Sequence, residues 1–563
     1  MIRKLAVRWG FLTGLIFISG YSYSQSDNNQ PDYGQIQGNV QMLFQHYQED
    51  TIIAGIVPPE ETTLNAFTNL IYTRGNFSAG VRYESYMPAQ AGYPDRFKGS
   101  GLGYRYASYS KDELSLTVGN FYEQFGSGLV LRSYEERNLG LDNAMDGVKV
   151  AYTLTEGVYL KGVYGKMRYN FNDGLINTEG YTRGIDAEIH LNSIIPGWDT
   201  LKTRVIFGGS FVSKYQRDDR SDLVLPENVG AYAGRVNISR GGFVMNSEYA
   251  YKINDPSADN GFNYHNGQAV LMNLVYAQRG FSVSLDAKSI NNMSFRPDRN
   301  LQITDAQINY LPAMTTQHTY LLAGTFYPYA TQPNGEVAYQ AEVGYKVKKN
   351  SLLGGKYGMD LLVSAAQAYA PDTSLITAED PGLKVYDNKL LSLGDQAYFG
   401  DIHVQLKKKF NKKLSGVFTY YNFVYNNDVI LGARQLDGTE VEGTVYADVF
   451  VAEMNIKTKS KHNLRLIGQY LRTEQHQGDF VALVAEYSIS PHWVFALLDM
   501  YNFGNAIKED RVHYPFGSVT YIKGGNRISA EYGRRRAGIF CVGGVCRAVP
   551  ASNGLTLTIT SSF

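Results

Sequence analysis

Cysteine is nearly absent from this chain, with two in 563 residues. Proline and tryptophan are also scarce, and beyond the first 20 residues the chain has no run of about 18 apolar residues. A transmembrane helix needs about 20 such residues, so the sequence predicts none. Lysine plus arginine and aspartate plus glutamate number 53 each, and the formal net charge is therefore zero. A neutral chain gives no reason to expect a nucleic-acid partner.

Tyrosine and glycine, in contrast, are abundant, at 44 and 57 residues. The chain opens like an exported protein, because basic residues precede an apolar run of about ten residues, too short to span a bilayer. We predict a signal peptide, residues 1–24, cleaved between Ser24 and Gln25. No cysteine follows that site, which argues against a lipoprotein anchor. An exported, tyrosine-rich chain without a spanning helix is expected to be built from strands.

The last ten residues, GLTLTITSSF, alternate between apolar and polar side chains. Leu555, Leu557, Ile559 and Phe563 fall on one face of a predicted strand, and threonines occupy the other. Such period-two alternation gives a strand one apolar and one polar face. The final aromatic residue is in phase with the apolar face, as at the ends of bacterial outer-membrane barrels. A solvent-exposed last strand of a soluble sandwich is the alternative.

The same alternation recurs along the chain in segments of about 9–13 residues, the length that crosses a bilayer at barrel tilt. Short connections alternate with long polar ones, the asymmetry of outer-membrane barrels. The short ones are TRGN (73–76), TEG (155–157), SRGG (239–242), QRG (278–280), KKFNKK (408–413), SISPH (488–492) and KGGNR (523–527). Most of them carry the glycine, asparagine or proline that tight hairpins require.

These patterns predict an all-β fold, a closed antiparallel transmembrane β-barrel over residues 35–563. A short periplasmic segment, residues 25–34, precedes it, and no plug domain is expected. Strict alternation of short and long connections requires residues 301–310 to be a strand and residues 311–318 a short turn. The count is then about 26 strands, with about 24 as the alternative.

Cys541 and Cys546 flank VGGV in the connection before the last strand. A lone pair of cysteines in an exported chain predicts a disulfide bond. A redox-active pair, the alternative, requires a different spacing and a lowered thiol pKa. The nine histidines form no i, i+4 or HxH pair, so their spacing predicts no metal site, and no cofactor is expected.

The stretch FYEQFGSGLVLRSYEERNLGLDNAMDG, residues 121–147, concentrates glycines and charges between two predicted strands. No helix is predicted to follow it, which argues against a phosphate-binding loop. Its FGSGL segment also lacks the spacing of a GxSxG hydrolase motif. We therefore predict that the protein is not an enzyme, with an outer-membrane barrel enzyme as the weakest alternative.

A wide barrel without a plug leaves an aqueous channel unless its loops narrow it. We expect the stretch above to fold inward and to pair with charges on the lumen wall. Arg132, Glu135, Glu136 and Arg137 are the candidates for lining a pore constriction. An ordinary surface loop is the alternative.

Three stretches resemble a family of large, functionally uncharacterised β-barrel outer-membrane proteins of the Bacteroidota. They are FYEQFGSGLVLRSYEERNLGLDNAMDG, INYLPAMTTQHTYLLAGTFYPYATQPNGEVAYQ and GIFCVGGVCRAVPASNGLTLTITSSF. The resemblance implies an outer-membrane barrel and brings no substrate or catalytic residue.

We predict a porin-like passive channel for small solutes in the outer membrane of a Gram-negative envelope. A sealed structural or assembly barrel that partners other envelope proteins is the alternative. The expected partners are outer-membrane lipid, the barrel-assembly machinery during insertion and other envelope proteins, with no nucleic acid.

Overall fold

The computed structural model describes residues 33–302, 305–377, 385–430 and 443–563. Within these residues, 24 strands join edge to edge in one sheet, and consecutive strands pair antiparallel. In chain order they are β1 (Gln35–Gln48), β2 (Thr62–Arg74), β3 (Phe77–Tyr86), β4 (Phe97–Lys111), β5 (Leu114–Phe121), β6 (Met145–Thr155), β7 (Val158–Asn172), β8 (Leu175–His190), β9 (Thr203–Tyr215), β10 (Asn228–Arg240), β11 (Phe243–Lys252), β12 (Gly267–Gln278), β13 (Phe281–Asn291), β14 (Gly335–Val347), β15 (Met359–Thr377), β16 (Val385–Lys409), β17 (Leu414–Asn426), β18 (Thr444–Lys459), β19 (His462–Arg472), β20 (Phe480–Ile489), β21 (Trp493–Asn502), β22 (Phe516–Lys523), β23 (Asn526–Arg535) and β24 (Ser552–Ser562). The predicted signal peptide and its cleavage site at Ser24 and Gln25 lie outside the described residues.

Helices are short and few in the described parts of the chain. They are the α-helical turns Leu191–Ile194, Leu321–Phe326 and Asn427–Ile430 and the 3-10 turns Arg137–Leu139, Ala258–Asn260 and Lys508–Asp510. None of the helices in the described ranges is long and apolar enough to cross a membrane.

The sheet closes where its last strand meets its first. β24 pairs with β1 from Asn39 opposite Ser562 to Gln48 opposite Asn553. Phe563 exchanges two backbone hydrogen bonds with Gly38, of 2.9 and 3.0 Å. The predicted closed antiparallel barrel is therefore confirmed, with the alternative count of 24 strands.

The count of 26 strands is wrong because residues 301–310 form no wall strand among their described positions. They lie in one long connection, residues 292–334, between β13 and β14. These two strands pair directly with each other along their length, which leaves no room for another hairpin between them. Ile308 is instead buried, and its backbone bonds Phe295 and Arg132. Residues 311–318 are therefore not a short turn.

All seven predicted short connections coincide with turns at one end of the barrel. The turns are residues 75–76, 156–157, 241–242, 279–280, 410–413, 490–492 and 524–525. Residues 191–202 and 348–358 lie at the same end but are longer, and a two-residue turn, 173–174, lies at the opposite end. Apart from these three connections, the connections at one end of the barrel are short and those at the other end are long, as expected.

The outer surface of the barrel is apolar and the inner surface is polar. In β3, exposed Val81 and Tyr83 alternate with buried Arg82 and Glu84. Exposed apolar residues of other strands include Val118, Ile185, Leu285, Ile402, Leu483 and Leu497. Exposed aromatic residues near the short turns are Phe77, Tyr109, Tyr159, Phe243, Tyr276, Tyr345 and Trp493, and near the opposite end Tyr83, Tyr249, Tyr339, Tyr446 and Tyr532. An apolar band between two aromatic girdles is the outer face of a transmembrane barrel.

The C-terminal strand follows this pattern. Leu555 and Phe563 are exposed, and Thr556 between the two outward leucines is buried toward the lumen. The apolar face of the strand therefore points away from the lumen.

Candidate lumenal constriction

Three connections at the long-loop end turn back into the barrel and contact one another. They are residues 122–144, 292–334 and 536–551, which we call the lumenal layer. The Arg132 amide donates to the Ile308 carbonyl over 2.8 Å, and the Tyr310 hydroxyl donates to the Gly543 carbonyl over 2.8 Å. The first connection is thus joined to the second, and the second to the third.

The layer reaches inward-facing side chains around the circumference of the wall. It contacts Gln41 of β1, Phe67 of β2, Arg82 of β3, Arg168 of β7, Glu248 of β11, Lys288 of β13, Glu336 of β14, Asp401 of β16, Glu453 of β18 and Gln469 of β19. Loops that reach strands so far apart in the sheet must pass through the space the sheet encloses.

Apolar packing also holds the lumenal layer in place. Leu129, Val130 and Leu131 have no solvent-exposed surface and share a cluster with Phe295 and Ile308 of the long connection. Farther round the barrel, Leu322 and Phe326 of the layer join a second cluster with wall residues. Burial of such side chains contributes about 1.5–3 kcal/mol each.

The glycines of residues 121–147 allow the backbone to turn back tightly into the barrel. Gly126 has a positive φ of 53°, and a Cβ there would lie 2.6 Å from a carboxylate oxygen of Glu248. The next amide, of Ser127, donates to the same carboxylate over 2.8 Å. Only glycine adopts this φ without strain while letting the backbone approach so closely. The motif therefore binds a carboxylate of the wall.

Six charged side chains fasten residues 122–144 to β3 and β7. This charge cluster consists of Arg82, Glu84 and Arg168 of the wall and Glu135, Arg137 and Asp142 of the loop. It holds three positive and three negative groups, and so it is formally neutral.

The wall members of the charge cluster are the most deeply buried. Arg168 donates to Glu84 over 2.7 Å and to Asp142 over 2.8 Å. Arg82 pairs with the other oxygen of Glu84 over 2.7 Å and also with Asp142. Two guanidinium groups thus join a wall carboxylate to a loop carboxylate. Charged hydrogen bonds of this kind are about twice as strong as neutral ones.

The loop members extend the cluster toward β1 and β2. Arg82 reaches Glu135 over 3.0 Å, and Arg137 holds the same carboxylate over 2.7 Å. Arg137 also donates to Gln41 over 2.7 Å and lies 4.3 Å over the Phe67 ring. Burial and the nearby Asp142 raise the pKa of Glu135, although the two arginines oppose that shift.

Of the four predicted constriction residues, two contact the wall and two make contacts within the lumenal layer. Glu135 and Arg137 join the charge cluster and meet the wall. Arg132 instead lies between aromatic rings, 4.5 Å from Tyr134 and 3.9 Å from Tyr310. Glu136 accepts from the Asn138 amide over 3.1 Å and caps the 3-10 turn Arg137–Leu139. The role of all four in narrowing a pore stays a prediction.

Sequence reasoning missed Arg82, Glu84, Asp142 and Arg168. A signal existed for the first two, because they are charged residues at the inward positions of an alternating strand. Nothing in sequence spacing links Arg168 to Glu84, which lies 84 residues before it.

The predicted disulfide bond between Cys541 and Cys546 is present. It joins the two arms of a small hairpin, Gly538–Val542 and Val545–Val549, with a Cα separation of 4.1 Å. This hairpin is the third part of the lumenal layer, and Cys546 is buried beside Tyr329.

Solved structures of several large pores and receptors are similar to the barrel. The translocation pore of the P pilus usher PapC is 8% identical, with 94% of this chain and 99% of that chain covered and a TM-score of 0.44. The siderophore receptor PirA from Pseudomonas aeruginosa is 10% identical, with 95% and 81% covered and a TM-score of 0.40. OccAB4 from Acinetobacter baumannii is 12% identical, with 79% and 100% covered and a TM-score of 0.32. At such scores, no substrate or mechanism carries over from them.

Among curated protein sequences, none matches this chain. A family model does match it, over residues 6–563 and thus nearly its full length. The chain belongs to that family, the family of unknown function DUF6029.

Proposed function

We propose that the protein is a porin-like channel for small solutes in the outer membrane, narrowed by its own lumenal layer. The observation that supports this most is the charge cluster, in which loop carboxylates bind inward-facing arginines of the wall. The cluster holds residues 122–144 inside the barrel, and its partly exposed members, Glu135 and Arg137, are placed to act on solutes at close range. Because the cluster is formally neutral, we expect no strong preference for anions or cations.

The outer surface supports the proposed location. The apolar band and the aromatic residues at both ends match a barrel surrounded by lipid. Outer-membrane lipid is then the first partner, and insertion by the barrel-assembly machinery is part of the proposal. The role proposed is not enzymatic and involves no nucleic acid.

Wild-type protein refolded into liposomes is expected to admit small uncharged sugars, with swelling rates that fall steeply as the sugar grows. Planar-bilayer recordings should show similar permeabilities for potassium and chloride. A mock-refolded, lipid-only preparation sets the background. A correctly folded barrel that swells no faster than this background would contradict the channel.

The second candidate is a sealed barrel that serves as a partner of other envelope proteins. The full burial of Leu129, Val130 and Leu131 favours it, since an apolar layer across a lumen leaves little room for water. It predicts no conductance, together with a defined protein that co-purifies in fixed ratio.

A further inference from the structure

His318, Asp401 and His403 form a compact cluster where the lumenal layer meets β16. His318 Nε2 lies 2.8 Å from Asp401 Oδ2, and His403 Nδ1 lies 3.3 Å from Asp401 Oδ1. One ligand atom from each of the three residues lies within 4.8 Å of the others. Asp401 and His403 are alternate residues of β16 and point inward, whereas Ile402 between them is exposed on the outer face.

The cluster is buried and short of positive charge. The Asp401 side chain is 1% exposed, and the two imidazoles are at most 8% exposed. In the described parts of the chain, the polar contacts of the Asp401 carboxylate are the two imidazoles and the Thr315 hydroxyl, and no lysine or arginine there pairs with this carboxylate. A buried carboxylate is costly unless it is paired. A divalent cation between the three groups supplies a positive charge to pair with it.

We propose that His318, Asp401 and His403 bind a divalent transition-metal ion, with Zn²⁺ as the ion to test. Two imidazole nitrogens and one carboxylate oxygen form a common donor set for zinc, at about 2.0–2.2 Å from the metal. Binding requires the three side chains to rotate until their donor atoms, which lie within 4.8 Å of one another, reach those distances from the ion.

The surroundings hold these donors in place. The His318 ring packs edge-on against Tyr421 with centroids 4.6 Å apart, and His403 lies 5.5 Å from the same ring. The Thr315 hydroxyl donates to Asp401 Oδ2 over 3.0 Å, as residues around a metal ligand often do.

The metal site goes beyond the proposed channel. His318 belongs to the lumenal layer and Asp401 to the wall, so a bound ion ties one to the other. The sequence could not indicate it, because 83 residues separate His318 from Asp401.

The test is a zinc titration, monitored by calorimetry, of folded, EDTA-treated protein without a histidine tag. We expect one tight site in the wild-type protein and a loss of affinity of at least about 100-fold in His318→Ala and His403→Ala. His513→Ala is the matched control, because His513 Nδ1 contacts Asp499 over 2.7 Å without a third donor in the described residues. This variant should bind zinc like the wild type.

X-ray absorption of the zinc-loaded wild-type protein tests the site even if a variant fails to fold. The proposal expects two imidazole nitrogens and a carboxylate oxygen around the ion. The proposal would be overturned by the absence of tight zinc binding, by equal binding in all the variants, or by a shell of water oxygens alone. The three residues would then be a hydrogen-bonded triad without a metal ion.

Discussion

Replacing Arg168 by methionine is expected to lower the free energy of unfolding by about 3–5 kcal/mol. The Arg168 side chain is 1% exposed and contacts Glu84, which has no exposed surface, and Asp142. Methionine keeps much of the side-chain volume but leaves the charge cluster with three carboxylates and two arginines. The excess buried negative charge, which Arg82 alone does not balance, is far more costly than the ion pair it replaces. Urea unfolding of the barrel in lipid vesicles measures the difference.

The double variant Glu84→Gln/Arg168→Met is the internal control. It removes both charges, so we expect it to be more stable than Arg168→Met by about 2 kcal/mol. Arg220→Met removes a half-exposed arginine outside the barrel wall, which pairs with Asp222 and lies 4.5 Å from the centre of the Phe262 ring, and we expect a change below about 1 kcal/mol. An Arg168→Met variant as stable as Arg220→Met would mean that the charge cluster does not hold the loop.

Replacing Lys288 by methionine is expected to cost a similar amount, about 3–5 kcal/mol, and to loosen residues 292–334. Lys288 and Glu336 have no exposed side-chain surface and pair with each other. Lys288 also donates to the Pro312 carbonyl over 2.6 Å, and the Tyr329 hydroxyl donates to Glu336. The pair therefore binds the long connection at two points. Urea unfolding measures the stability, and limited proteolysis of the folded barrel reports cleavage within 292–334.

Two controls distinguish the effect of breaking the Lys288–Glu336 pair from the effect of removing a lysine charge in general. Lys288→Met/Glu336→Gln should regain much of the lost stability, because no unpaired carboxylate is left. Lys346→Met removes one member of an exposed wall pair with Asp360, and we expect a change below about 1 kcal/mol. Equal losses in the single and double Lys288 variants would show that the pair is not coupled.

The wall of the barrel could be predicted from the sequence because each strand carries its own signal. Alternation in β24 and the turn residues at positions 75–76 or 241–242 are local features, and hairpins between neighbouring strands follow from them. The prediction failed at residues 301–310, whose apolar residues mimic a strand. Ile308 there belongs to the lumenal layer and is buried in a cluster that contains both loop residues and inward-facing wall residues. Local periodicity does not distinguish such a buried loop residue from a residue of a wall strand.

The candidate site was predictable only in part. Glu135 and Arg137 stand out as charges in a glycine-rich loop, and an inward fold was a reasonable expectation for a wide barrel without a plug. Their partners on the wall depend on the barrel bringing β3 and β7 beside one loop, and His318 meets Asp401 in the same way. Such contacts between distant residues follow from the closed sheet and carry no signature in sequence spacing.

The most direct test of the account is the single-channel conductance of the wild-type protein and of a variant whose residues 126–140 are replaced by a short glycine-serine linker. This replacement removes Glu135, Arg137 and the buried Leu129–Leu131 segment but keeps β5 and β6. If the lumenal layer sets the opening, the conductance should rise several-fold in the variant. A matched replacement of the exposed residues 506–511, in the connection between β21 and β22, should leave it unchanged. Equal conductance of the wild type and the 126–140 variant, with both barrels folded, would contradict the account.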